Sequence, residues 1–422
     1  MIIDVVSKKT AKEAGDMAEI RDRYDYVIVG GGVAADKAAR AIRKRDEDAS
    51  IAIFSDEADE PVYRPELSKG LWFGDDPDPA SQALGTAADT GAEFHAETKV
   101  TALRPDDHEI EAGGATVGYG KLLLATGAGP KTAPGDSKRV LYLRNVADYR
   151  RLREAAGEAK HIGVVGGGFI AGEVAAALST EDLDVTLLHP GERALGGLFP
   201  ASISKVVEKD FADHGVALKS GFRLKEAADD GDHVVARGAD GEEHRFDYLV
   251  AGLGATLNTK LAREAGLELE GGGVAVDESL QTSAPDVYAA GDIATFTDPV
   301  FGRRGVAHQD NAEKGGTAAG SAMTGEDTVY ERTPMFFADL FDNGYEAVGR
   351  TDTRLHVIER WNDERTAAVV FYTHGDGERL LVDGVLTWNT FGKRKKAAEL
   401  ARRSQVEDLG EEDILAAIEP AG

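Results

Sequence analysis

The sequence predicts an α/β chain: two units built alike, followed by a smaller α+β unit. Three observations predict it. Two glycine triplets stand 136 residues apart (Gly166 minus Gly30), each in the same frame. Each triplet follows a short apolar strand and opens an alanine-rich helix, as Tyr26–Val29 before Gly30-Gly31-Gly32 and His161–Val165 before Gly166-Gly167-Gly168. A later strand-then-glycine ending also occurs twice, at 121–127 and at 248–254. The G-x-G-x-x-A turn between strand and helix is the context of a dinucleotide fingerprint. Glycine allows the tight turn and lets backbone N–H groups at a helix start approach a pyrophosphate. Two copies argue for two Rossmann-like domains and two dinucleotides, most simply a flavin and a nicotinamide.

Length agrees. A single core stops growing at roughly 250–300 residues, so 422 residues imply two or three domains. The boundaries expected are an N-terminal extension (1–23), a first dinucleotide domain in two parts (24–145 and 276–330), a second dinucleotide domain (146–275) and a C-terminal α+β domain (331–422).

In order along the chain, a strand at 25–29 feeds a helix near 33–45, and a second strand at 51–54 ends in Ser55-Asp56-Glu57. Asp56 lies 26 residues past Gly30 (56 minus 30), near where an acid takes ribose hydroxyls. The strand at 121–125 closes on Gly127, which lets backbone approach a cofactor. In the second unit a strand at 185–188 ends in Leu188-His189, and residues 248–254 repeat the glycine ending at Gly254. Residues 286–292 read as a strand ending in Gly291-Asp292, and 308–324 as a helix of small residues. The tail is expected to hold strands at 346–349, 367–372 and 380–388, polar turns such as Gly375-Asp376-Gly377, and helices near 393–403 and 411–418.

Composition removes several chemistries. The chain has no cysteine, which excludes a disulfide framework, an Fe–S cluster and a redox disulfide. The ten histidines show no ligand spacing, so no metal is expected. The net charge of −27, from 75 acids against 48 Lys and Arg, argues against general nucleic-acid or anionic-membrane binding. Self-repulsion on that scale suits a host with a salty cytoplasm, since the Debye length falls to roughly 3 Å in 1 M salt. Residues 1–23 show neither an export signal nor a transit pattern, and no apolar run approaches a membrane span, so a cytoplasmic protein is expected. The run Asp75-Asp76-Pro77-Asp78-Pro79 reads as a loop. Lys393 to Lys396 with Arg402 and Arg403 read as a solvated helix face, or as a docking face for an acidic electron carrier or a nucleic-acid contact.

Three stretches carry a family resemblance. They are Val62-Tyr63-Arg64-Pro65-Glu66-Leu67-Ser68-Lys69-Gly70-Leu71-Trp72; Met335-Phe336-Phe337-Ala338-Asp339-Leu340 leading to Gly344–Gly349; and Val369–Tyr372 leading to Leu386-Thr387-Trp388-Asn389. With the glycine turns they make the chain resemble the FAD/NAD(P)-dependent pyridine nucleotide-disulfide oxidoreductase superfamily with its glutathione-reductase-like fold, and within it the apoptosis-inducing factor group, from about residue 24 to 403. The resemblance implies FAD along the first unit. Gly30, Gly32, Ala34 and Ala35 would cradle its pyrophosphate, Asp56 its adenosine ribose, and Arg64 phosphate or ribose. Val100 would meet adenine, Asp292 the ribityl chain, Lys69 the flavin N5, and His308 and Gln309 the pyrimidine edge.

NAD(P)H would occupy the second unit, on Gly166, Gly168, Ile170 and Ala171. Phe169 would cover the flavin face, and Glu173 would pair with Lys69. Glu346, Asn389, Phe336 and Phe337 would line the nicotinamide site from the third domain. Phe337 stands where close relatives carry tryptophan. The segment His189-Pro190-Gly191-Glu192-Arg193 leaves the donor open: Glu192 would favour NADH, while His189 and Arg193 would accept the 2′-phosphate of NADPH. The resemblance thus implies an FAD-dependent NAD(P)H oxidoreductase handing electrons to a ferredoxin, a quinone or dioxygen. A dedicated ferredoxin or rubredoxin reductase, and an NADH-sensing redox switch that changes oligomeric state, are the alternatives. The animal proteins' acidic insertion is absent, so a cell-death role does not transfer.

Overall fold

The computed structural model describes residues 19–74, 76–376 and 379–422. Most of the expected N-terminal extension (1–18), Asp75 of the acidic run, and Gly377 of the 375–377 turn lie outside the described residues.

Strand Arg23–Val29 is apolar from Tyr26 onward because both its neighbours are parallel strands and both sheet faces are covered. The parallel order is Glu93–His95, Ile51–Phe54, Arg23–Val29, Ala115–Leu124, Val287–Ala289. The second sheet repeats it as Val216–Lys219, Asp184–Leu188, His161–Val165, Tyr248–Ala251, Val140–Leu141. In each, the first strand lies between the second strand and the late glycine-ending strand, and the last place is filled from elsewhere in the chain. The repetition extends to an antiparallel meander that was not expected in the second unit: Leu224–Asp230, His233–Gly238 and Glu243–Phe246 match Val100–Arg104, Glu109–Ala112 and the start of Ala115–Leu124. The two glycine endings also meet. Ala128–Pro130 pairs antiparallel with Ala255–Leu257, and the Asn258 N–H donates to the Gly127 carbonyl at 2.9 Å.

Helix Gln309–Met323 crosses helix Val33–Arg45 at backbone contact. A Cβ on Gly316 would stand 2.3 Å from the Ala34 carbonyl oxygen, and one on Gly320 2.5 Å from that of Ala38. Small residues are therefore a packing requirement here, and they fix where this helix begins.

The third unit is a five-stranded antiparallel sheet ordered Met335–Leu340, Asn343–Gly349, Leu380–Trp388, Ala368–Gly375, His356–Trp361. Two of these strands, the first and last, were not expected. Side chains alternate: Val369 and Phe371 face helices Arg394–Val406 and Glu411–Ala417, while Ala368, Val370 and Tyr372 pack on the second unit. The expected loop at 76–79 runs into a short 3₁₀ turn, Pro79–Gln82, capped by Asp78. Among the described residues no helix is long and apolar enough to cross a membrane.

Among the described residues only Asp36, Glu173, Asp292, Asp298, Asp310 and Asp352 are buried acids. The negative excess therefore lies on the surface, where salt screens it. Raising KCl from about 0.1 M to about 2 M is expected to raise the thermal midpoint by more than roughly 5 °C. An unchanged or lower midpoint in calorimetry would refute the repulsion argument.

Candidate functional site

Both glycine turns are shaped by the same collision. Gly30 has φ +122°, and a Cβ there would sit 2.2 Å from the Ala125 carbonyl oxygen; Gly166 has φ +152°, and its Cβ would sit 2.3 Å from the Gly252 carbonyl oxygen. Each first glycine is thus pressed against the late strand of its own unit, where only glycine fits. The third residue of each triplet is free. A Cβ on Gly32 would meet only Arg64, at 3.8 Å, and one on Gly168 nothing within 4 Å. Gly32 and Gly168 are helix N-caps with no side-chain cap, so the first N–H groups of Val33–Arg45 and Phe169–Leu178 point at open cradles. That is the chemistry a pyrophosphate needs.

Around the first cradle the chain gathers most of the expected residues. A Cβ on Gly291 would touch the Ala34 methyl at 3.2 Å, which sets Asp292 beside the turn. Arg144, which sequence reasoning missed, binds Asp292 at 2.6 Å. Its guanidinium also lies 3.4 Å from a Cβ on Gly127, and its Nε is buried without a partner. Arg64 donates to the Arg144 carbonyl at 3.1 Å and pairs with Glu57 at 2.7 Å. Asp56 is exposed beside this pair. Thr98 and Glu97 donate backbone N–H groups to Ser55 and Glu57, which brings the start of strand Val100–Arg104 to the end of Ile51–Phe54. An orphaned cationic Nε, a helix start without a side-chain cap and the Asp292 carboxylate, gathered around one glycine turn, fit an extended dinucleotide such as FAD.

A second cluster lies where the three units meet. Lys69 Nζ is 2.8 Å from Glu173 Oε2, and the Ser68 hydroxyl donates to that same oxygen at 2.6 Å. The side chains are only 15% and 8% exposed. Phe169 and Glu173 are four residues apart on one helix (173 minus 169) and therefore share a face. Phe169 stacks on Tyr345 with centroids 5.5 Å apart and meets Phe336 at 5.7 Å. Tyr345 is buried, and burial followed by the Glu173 charge holds its phenol well above its ordinary value.

His308 caps helix Gln309–Met323: its Nδ1 accepts the Asp310 N–H at 3.3 Å, and its Nε2 meets the Phe337 backbone, 3.2 Å from the N–H nitrogen and 3.3 Å from the carbonyl oxygen. Burial pushes this imidazole below its ordinary value, and the Lys69 charge adds to the shift against the pull of the Phe337 carbonyl, Asp310 and Asp292. Phe337 lies edge-on to His308 at 4.9 Å. Gln309 is spent on Glu313, at 2.9 Å.

The remaining residues lie farther out. Ile170 is exposed beside the second cradle, as is Gly254. Glu346 is opposite Phe337 in the sheet, and its carboxylate accepts the Gly392 N–H at 2.9 Å. The Asn389 amide binds Gly344, Asn343 and Thr366, all within the third unit. In the 189–193 segment Glu192 is exposed, and Arg193 pairs with Glu208 at 2.7 Å. His189 is 2% exposed, and burial lowers its affinity for a proton. Of the residues that sequence reasoning missed, Ser68 and Tyr345 stood inside recognised stretches, whereas Arg144 had no signal beyond its position before a helix.

The pyridine nucleotide-disulphide oxidoreductase profile matches residues 24–316. The chain is similar to the mitochondrial apoptosis-inducing factor 1 of Dictyostelium discoideum, with 31% identity over 92% of this chain and 80% of that one. It is similar to the ferredoxin–NAD(+) reductase component of the anthranilate 1,2-dioxygenase system of Burkholderia cepacia, with 32% identity over 83% of this chain and 88% of that one. Among solved structures, the ferredoxin reductase for the CYP199A2 system from Rhodopseudomonas palustris superposes with a TM-score of 0.80 at 27% identity, covering 93% and 96% of the two chains.

Two outcomes follow from this geometry. Gly166→Ala places a methyl against the Gly252 carbonyl; it is expected to keep the flavin spectrum but weaken NADH binding about 10-fold or more, read by titration. Unaltered binding would contradict the cradle. For His308, the unfolded ring takes up a proton near pH 6.5 while the folded one resists until a lower pH. Its contribution to stability is thus complete above about pH 6.5 and lost as pH falls through the folded value. Denaturant titrations should show a shallower drop between about pH 7 and pH 5 for His308→Gln than for the wild type; equal drops would overturn the neutral assignment.

Proposed function

The chain belongs to the pyridine nucleotide-disulphide oxidoreductase family and is an FAD-dependent NAD(P)H oxidoreductase, and from that premise we propose that the Lys69–Glu173 junction is where the nicotinamide meets the flavin, with NADH as donor. The observation that carries this reading is the buried 2.8 Å ion pair joining the first unit's Arg64–Ser68 turn to the second unit's fingerprint helix. FAD, when bound, accepts a hydride and releases electrons to an acceptor. The residues proposed to hold it are Gly30, Gly32, Ala34, Ala35, Asp56, Arg64, Val100, Gly127, Arg144 and Asp292.

The chain's own part is positioning and charge. Lys69 Nζ, held by Glu173, supplies a fixed positive charge and free N–H donors. Ser68 keeps the Glu173 carboxylate from swinging away. His308 stays neutral and caps a helix whose positive end favours negative charge at its start. Phe169, packed on Tyr345 and Phe336, screens the junction from water until a nicotinamide displaces it. No cysteine is available to take electrons, so they leave to an external acceptor. The named activity of the Burkholderia cepacia relative supports an electron-carrier protein in that role.

The NADH preference rests on the cations. A 2′-phosphate needs a positive partner. His189 is buried in its neutral form and Arg193 is committed to Glu208, while Glu192 stands exposed.

Anaerobic stopped-flow tests both parts. Lys69→Ala is expected to slow flavin reduction by NADH by about 10–100-fold, and the wild type to prefer NADH over NADPH by about 10-fold or more in kcat/KM. Reduction of the variant at the wild-type rate removes Lys69 from the junction, and an NADPH preference overturns the donor assignment.

A further inference from the structure

An open groove of about 530 Å³ lies behind the start of helix Gln309–Met323, between that helix, the 329–333 segment and helix Arg394–Val406. Lys314, Arg332, Arg394, Lys395 and Arg402 line it. Glu331 and Glu399 are the carboxylates on its wall and Asp310 holds Arg332, so five cations meet three acids, a local excess of two positive charges. The chain as a whole is the opposite, with a net charge of −27. Arg332 and Arg402 are already paired, with Asp310 and Glu399. Among the described residues Lys314, Arg394 and Lys395 form no ion pair. Apolar surface lies between the charges: Val329 is 51% exposed at the wall. Apolar contact area inside a charged rim is the pattern of a protein interface.

The groove is wired to the junction. Arg332 binds the Asp310 carboxylate at 2.5 Å, in the first turn of the helix that His308 caps. Two residues on from Thr333, the Met335 N–H reaches the same carboxylate, and the strand continues to Phe336 and Phe337 against His308. Lys314 is six residues past His308 (314 minus 308), about 9 Å along the axis at 1.5 Å per residue.

We propose that this groove docks an acidic electron-carrier protein, resting on the oxidoreductase reading above. Each NADH gives up a hydride, two oxidised carriers take one electron each in turn, and NAD(+) and one proton are released. A carrier with a negative face is repelled by the acidic surface elsewhere and attracted here, which selects the orientation of docking. In about 1 M salt that attraction acts only near contact, and the apolar wall supplies the remainder.

The test uses the flavin-loaded protein, NADH, and an acidic [2Fe–2S] ferredoxin with cytochrome c as the final sink. Ferricyanide serves as a carrier-independent acceptor. The double variant Lys314→Glu/Lys395→Glu is expected to raise the KM for ferredoxin about 10-fold or more at low salt, and to leave the ferricyanide rate within about 2-fold. Lys205→Glu/Lys225→Glu, two exposed lysines outside the groove, should leave both near wild type. An unchanged ferredoxin KM in the groove variant overturns the proposal. So does a wild type that reduces ferricyanide but not ferredoxin, and so does a groove variant that only dissociates a homodimer, which would make the occupant a second copy. Failure to reduce either acceptor would instead bring down the oxidoreductase reading itself.

Discussion

The ion pair between Lys69 and Glu173 is the contact on which the candidate site depends. It ties the Arg64–Ser68 turn of the first unit to the helix that the second glycine turn begins. Burying two charges is costly unless they meet each other and other donors. Here one Glu173 oxygen takes both the Lys69 ammonium and the Ser68 hydroxyl. Removing either charge would leave the other stranded at a cost of about 3–5 kcal/mol, so the pair also constrains how the two units sit. Phe169, one turn before Glu173, carries that constraint into the third unit through Tyr345, which in turn packs on Phe199 and Trp388.

The glycine turns provide the second constraint. In both units the first glycine is jammed against a carbonyl of the late strand, and the third faces open space. Strand contact sets the turn, the turn sets where the helix starts, and the helix start sets where an anion can sit. Because the two sheets share one strand order, the same logic yields two cradles. The Gly127 and Gly254 endings then join in the short antiparallel ribbon between the units, which keeps the two cradles in register.

Much of this was legible in the sequence, for physical reasons. Strands buried on both faces show as apolar runs, so Ile51–Phe54 and Asp184–Leu188 could be read within a residue. The Gly316 and Gly320 crossing shows as a small-residue helix. Strand His356–Trp361 was hidden because it is an edge strand carrying Glu359 and Arg360. The meander at 224–246 was hidden by its exposed charged faces, although the duplication implied it. At the site, Lys69 and Glu173 were paired through family resemblance. Arg144 was not found, because a lone arginine has no periodicity and its meaning comes from Asp292, 148 residues away. The basic run at 393–403 was open to a solvated face, a carrier dock or a nucleic-acid contact, and only the fold shows that part of it lines a groove with Lys314 and Arg332.

The central claim is that Lys69 and Glu173 act as one unit where nicotinamide meets flavin. A double-mutant cycle on the rate of flavin reduction by NADH, with Lys69→Met, Glu173→Gln and the combined variant, addresses it most directly. Coupling means that the double variant is no slower than the worse single variant, a departure from additivity of about 1–3 kcal/mol. Effects that simply add would mean that the two residues act independently, and the account of the junction would be wrong.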